Sequence, residues 1–308
     1  MINRTIIRIK ILQIVYAYYQ KNSNDLVLAE TELMFSLQKS YDLYHYLLLL
    51  IGLLTDAEQK RLDKQKNRLL ATETERNPNL RLADNRLAEQ LNRNAQLQKF
   101  AREKGTFWNN EDFHFVRSIL NKILQSDIYN DYLESEDTYE SDREFWHTVF
   151  KQLVLKDDEL YEVLEDQSVY WNDDLDIIGA FVLKTIRRFA NEKSSAQVLF
   201  PQFKDSEDKD FAIQLLHHSI LDGEDNNRRI TNQINNWDIE RLAQVDLYIL
   251  QIALAELRNF PTIPISVTLN EYIELARYYS TPKSPVFING ILDAIVKELK
   301  NERLLFKD

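Results

Sequence analysis

Arg4 and Arg8 stand one helical turn apart at the head of an apolar stretch, residues 4–20, with Lys10 on another face. Cations at a helix N-terminus oppose the macrodipole by about 0.3–1 kcal/mol each, so stability alone would favour Asp or Glu there. Unpaired N–H groups beside guanidinium groups make an anion site. Equally, two arginines can simply keep the end of a buried helix solvated. A second group lies near the other end of the chain: Phe287, with Asn289 and Gly290, in the first turn of a helix that opens at Ser284-Pro285. Phe287 falls roughly 100° from the centre of that helix's apolar stripe. An aromatic ring there can stack on a ligand or pack under a neighbouring loop.

Other chemistries find no support. The glycines, at 52, 105, 179, 223 and 290, are too scattered for a phosphate-cradling loop. His45, His114, His147, His217 and His218 include no pair at metalloprotease spacing, and there is no cysteine to act as ligand, nucleophile or disulfide partner. Asp173-Asp174-(x)-Asp176 lacks the alternating ligands, Gly and closing Glu of a calcium loop; its place before Ile177-Ile178 predicts a helix N-cap instead. No catalytic constellation emerges. The expectation is a non-enzymatic protein without cofactor or metal.

The elements that must carry these residues read as helices. Five glycines and six prolines in 308 residues are too few for the turns of a β-rich fold. Residues 239–258 are apolar almost all the way round, from Leu242 through Val245, Leu247, Leu250 and Leu254 to Leu257, the pattern of a helix buried inside a bundle. Prolines 261 and 264 stop it. Thr268 and Glu271 have capping-box spacing and predict the next helix start. Ser284 as N-cap and Pro285 at N1 predict the one after, whose stripe is Ile288, Ile291, Leu292, Ile295 and Leu299. Further helices are predicted over 4–20, 27–56, 111–133 and 175–190, with two more over 207–236 that place Ile230, Ile234 and Trp237 in a core. Hairpin turns fall near residues 21–24. Asn77-Pro78-Asn79 breaks the polar segment 57–105, and a linker spans 191–206, with Ser194-Ser195 in it.

Charge narrows the partners. The net charge is −11, which opposes non-specific binding to nucleic acid. Residues 57–105 nevertheless hold twelve Lys/Arg against seven Asp/Glu, leaving the remainder at −16. This basic segment is either an arm that holds RNA or a solvated helical hairpin. The longest apolar run, around residues 46–54, is far short of the roughly twenty residues a membrane-spanning helix needs. A cytoplasmic protein is expected.

Three blocks of residues resemble a known family. Gln244-Val245-Asp246 followed by Leu250-Gln251-Ile252-Ala253-Leu254-Ala255-Glu256-Leu257 is the first, and Leu269-Asn270-Glu271 with Ile273-Glu274-Leu275-Ala276 the second. Lys283-Ser284 with Phe287-Ile288-Asn289-Gly290-Ile291-Leu292-Asp293 is the third. In this order and spacing they are similar to the C-terminal half of the bacterial antitermination factor NusB family. Gln13-(x)2-Tyr16 extends the likeness to the first twenty residues. The resemblance implies an all-α, NusB-like fold of two helical bundles, with a helical insertion at about 57–200 that family members of ordinary length lack. It implies a division into residues 1–200, including the insertion, and a C-terminal helical domain, 201–308. It implies binding of boxA-type single-stranded RNA together with ribosomal protein NusE, within the transcription elongation complex. Carried over residue by residue, RNA contacts fall on Arg4, Arg8, Lys10, Tyr16, Phe287, Asn289 and Gly290, and partner contacts on Tyr16 and Asp246. Thr5 stands where the family can carry a further arginine. Asp246 could instead form a helix-surface ion pair with Arg241 or Arg258. Ribosomal-RNA cytosine methyltransferases that carry a NusB-like domain need an α/β cofactor domain and catalytic cysteines, which this sequence lacks. A helical protein–protein adaptor without RNA binding is the alternative. A single composite RNA site requires Arg4 and Phe287 to meet on one exposed surface.

Overall fold

The computed structural model describes residues 1–105, 108, 113–190, 196–234 and 243–305. Within them the protein is all-α, with fifteen α-helices, short 3-10 turns at Val154–Lys156 and Val169–Trp171, and one isolated parallel bridge between Ile2 and Phe203. Two compact units divide the chain. One holds Met1 and residues 38–202; the other holds residues 2–37 and those from 203 onward. The first helix, α1 (Arg4–Gln20), therefore belongs with the C-terminal helices and not with the insertion, as does the beginning of α2 (Leu26–Lys66).

In the first unit, the segment expected to end near residue 56 continues as α2 to Lys66. The rest of the polar stretch forms α3 (Glu73–Arg76), α4 (Arg86–Asn92) and α5 (Ala95–Lys104). Residues 77–79 break it as expected. The amphipathic stretch 111–133 is two helices, α6 (Phe113–Leu124) and α7 (Asp127–Glu134), because Ser126 turns the chain and its Oγ accepts the Tyr129 amide at 3.2 Å. Next come α8 (Tyr139–Gln152), α9 (Asp158–Gln167) and α10 (Leu175–Arg188). Helix α8 packs on α10, α7 and α4, with Trp146, Val149 and Phe150 fully buried. Its polar neighbour is a closed hub: Tyr132 donates to Asp142 at 2.7 Å and accepts from Asn85 at 3.1 Å. Asp174 occupies the N-cap position of α10 without capping it. Its buried carboxylate accepts the Ser40 hydroxyl at 2.6 Å instead.

The second unit is built around α13 (Gln244–Asn259). Around it stand α1, α11 (Ser206–Leu221), α12 (Gly223–Ile234), α14 (Ile265–Tyr279) and α15 (Ser284–Asn301). Every α13 residue from Tyr248 to Leu257 is buried, as all-round apolarity requires. Residues 235–242, and with them Trp237, Arg241 and Leu242, lie outside the described residues, as do Ser194 and Ser195.

Two predicted helix starts sit elsewhere. Helix α14 begins at Ile265, directly after Pro264, so Thr268 is inside the helix and buried. Its hydroxyl donates to Glu256 at 2.8 Å and makes no capping box. Ser284 is likewise already helical and buried, one residue past the N-cap position at Lys283. The stripe Ile288, Ile291, Leu292, Ile295 and Leu299 is buried throughout.

Candidate functional site

Helix α1 lies antiparallel to α13, and two contacts fix the register. Near its beginning, Arg8 reaches Glu256; near its end, the Tyr16 ring meets the edge of Tyr248 at 5.8 Å. The contacts are eight residues apart on each helix, or roughly 12 Å along the axis. They define two ends of the bundle with different chemistry.

At the Arg8 end the charges are turned inward. Arg8 is 2 % exposed. Its Nε and Nη2 donate to the two carboxylate oxygens of Glu256, each at 2.8 Å, and its Nη1 donates to Glu271 at 3.2 Å. Glu256 also accepts from Thr268 at 2.8 Å and from the Tyr272 hydroxyl at 2.9 Å. Burial, reinforced by this carboxylate, pushes the Tyr272 phenol far above its ordinary pKa, so it stays a donor. A two-pronged guanidinium–carboxylate pair with its other lone pairs satisfied is the arrangement a buried charge needs. Arg8 is thus not the surface cation its position suggests, and Lys10 is also buried and engaged. Arg4 remains partly exposed. It donates to Asp208, in the first turn of α11, at 3.2 Å, and its guanidinium lies 4.9 Å above the Phe211 ring.

At the Tyr16 end a cluster of aromatic rings takes the place of the charges. Tyr16 is 40 % exposed. Tyr248 stacks flat on Tyr19 at 5.3 Å, and Tyr19 accepts from Gln251 at 2.7 Å. Burial raises the pKa of both Tyr19 and Tyr248, which keeps the cluster uncharged. Two residues before Tyr248, the buried Asp246 accepts the Ser284 hydroxyl at 2.8 Å, and Ser284 Oγ accepts the Thr281 amide at 3.2 Å. This ties the start of α13 to the start of α15. Phe287 follows one turn later, half-buried, with Asn289 and Gly290 exposed beyond it. A side chain added at Gly290 would meet open space.

Comparison with known proteins decides the family. The NusB family model matches residues 173–297. A transcription antitermination protein NusB of Salinibacter ruber is 35 % identical over 134 residues, which are 41 % of this chain and 82 % of that protein. One from Geotalea daltonii is 38 % identical over 138 residues, 44 % of this chain and 91 % of that protein. This chain belongs to the NusB family. No solved structure matches it. The family match reaches back through α10, further than the motifs indicate, so less of the segment before residue 200 is foreign to NusB than expected.

Set against the NusB resemblance, the geometry brings some expected residues together and parts others. Tyr16, Asp246, Phe287, Asn289 and Gly290 share one end. Arg4 lies twelve residues before Tyr16 on α1, roughly 18 Å along the helix. Arg4 and Phe287 therefore do not form one composite surface. Asp246 is not a surface group either: it holds Ser284, while Arg258 pairs with Asp225 at 2.9 Å. Tyr19 and Tyr248 went unnoticed in the sequence, although the run Tyr16-(x)-Tyr18-Tyr19 signals an aromatic helix end. Among the described residues, no group of three or more His, Asp or Glu could hold a metal ion, and no helix is long and apolar enough to cross a membrane.

Proposed function

We propose that this chain is a cytoplasmic transcription antitermination factor of the NusB type. It binds boxA-type single-stranded RNA with ribosomal protein NusE in the transcription elongation complex. The observation that carries this reading is the end of the bundle where Tyr16 meets Tyr248 on α13 and the Asp246–Ser284 tie anchors the start of α15, one turn before the half-buried Phe287. Aromatic faces accept unstacked bases at about 1–3 kcal/mol each. Asn289 offers an exposed amide beside Phe287, and Gly290 lets a strand approach the backbone. Arg4 supplies a phosphate contact at the far end, exchanging Asp208 for the ligand. Arg8, Lys10 and Asp246 act by holding the helices that present these groups. NusE docks beside Tyr16. The reading assigns the chain no catalytic step.

The test is filter binding of a boxA-containing RNA and a scrambled control, with and without NusE. Phe287→Ala and Tyr16→Ala are each expected to weaken boxA binding by about 1–3 kcal/mol and leave the scrambled RNA unaffected. A loss under about 0.5 kcal/mol removes base stacking from the reading. The burial of Arg8 favours a second reading, a protein adaptor without RNA binding. That reading stands if NusE is retained while neither boxA nor scrambled RNA is bound.

A further inference from the structure

The first unit carries a feature that the NusB resemblance does not touch. A groove of about 540 Å³ runs between the C-terminal part of α2, with the turn after it, and α6. Its charged lining is Lys60, Arg61, Lys64, Arg68 and Arg117, and no Asp or Glu among the described residues lines it. Arg61 binds Glu58 at 2.6 Å, Arg68 binds Glu75 at 3.2 Å, and Arg117 is engaged as well. Among the described residues, Lys60 and Lys64 have no ion-pair partner, and both are exposed. They stand one turn apart, roughly 6 Å along the helix, on the scale of successive phosphates in an unstacked strand. Such a concentration of cations is unusual on a chain of net charge −11, where residues 57–105 are the basic exception. The acidic remainder repels a polyanion, so attraction is focused on the groove.

We propose that this groove binds the sugar–phosphate backbone of single-stranded RNA, independent of sequence, as a second RNA contact. Lys60 and Lys64 neutralise the phosphates. The choice of RNA as the occupant rests on the function proposed above; the charge and shape of the groove do not.

The experiment is salt-dependent binding of labelled poly(U) RNA to the full chain. The variants are K60E/K64E, the milder K60Q/K64Q, and K99E/R102E, which changes charge equally on the exposed face of α5. Each lost phosphate contact on a single strand lowers the slope of log affinity against log salt by about 0.7. Both groove variants are expected to lose about 1.4 in slope and about 25-fold in affinity at 0.1 M salt, while K99E/R102E keeps the wild-type slope. Equal losses in the groove and control variants, or no loss in either, overturn the proposal. The boxA preference of Phe287→Ala is read on different RNA and a different unit of the chain. Its failure would sink the function proposed above and leave a poly(U) slope specific to the groove standing.

Discussion

Arg8 and Glu256, 248 residues apart in the chain, meet inside the C-terminal bundle through two hydrogen bonds of 2.8 Å. The pair is desolvated, with Arg8 2 % and Glu256 0 % exposed, so removing Arg8 strands the Glu256 carboxylate, and removing Glu256 leaves Arg8 only the part-exposed Glu271. Arg8→Met or Glu256→Gln is expected to destabilise the protein by about 3–5 kcal/mol in urea unfolding. The variant Arg8→Met/Glu256→Leu/Thr268→Val/Tyr272→Phe, which also removes the donors to Glu256, should recover most of that loss. If Arg8→Met unfolds like the wild type, the pair does not hold α1 to α13.

The tie between Asp246 and Ser284 is a charge-assisted hydrogen bond. Ser284→Ala should cost about 1.5–3 kcal/mol and loosen the first turn of α15. Hydrogen exchange should quicken at residues 284–290 more than at the far end of α15. Uniform protection along the helix would show that the tie is not what orders Phe287.

Gly290 sits within α15, exposed, with nothing near the position of an added Cβ. Gly290→Ala should therefore stabilise the fold by about 0.5–1 kcal/mol, the usual gain from replacing glycine in a helix. It should also weaken boxA binding if a strand approaches the backbone there. A stabilised variant with wild-type RNA affinity would remove Gly290 from the contact surface.

Acid should loosen the first unit before its carboxylates titrate. Burial holds the His45 imidazole below its ordinary pKa, despite the bond 2.9 Å from its Nδ1 to the Tyr41 carbonyl. His147 is lowered as well, by burial and then by Arg187. A depressed folded pKa means the unfolded chain takes up the proton first. The contribution is thus intact above about pH 6.5 and declines as pH falls below it. Tm should drop between about pH 6.5 and 5, and His45→Asn should flatten that slope. An unchanged slope in His45→Asn would place the proton uptake elsewhere.

Much of the C-terminal bundle was legible because its signals are local. The stripe from Ile288 to Leu299 and the all-round apolarity of α13 each need only one helix to be understood. What failed depended on remote partners. Thr268 and Glu271 have the spacing of a cap, but Thr268 is drawn to Glu256 and Glu271 to Arg8, while Pro264 starts the helix earlier. Asp174 resembles a cap until Ser40, 134 residues away, takes its carboxylate. Arg8 looked like a wet cation because nothing within a few turns could neutralise it. Its partner was legible only in reverse: Glu256 is an acid inside an apolar helix, and a buried carboxylate needs a cation from somewhere. The Arg4–Phe287 separation follows from the antiparallel register of α1 on α13, which no spacing within either helix encodes.

That register has a consequence for how the protein is made. At about 5–20 residues per second, a ribosome that has released α1 needs roughly 12–50 seconds more to deliver α13. Throughout that interval Ile6, Ile7, Ile11 and Val15 lack the cover of α13, and the Arg8 guanidinium has neither Glu256 nor Glu271 to meet. Until α13 emerges the nascent chain therefore carries α1 as an incompletely buried, sticky helix, a natural client for a chaperone at the exit tunnel.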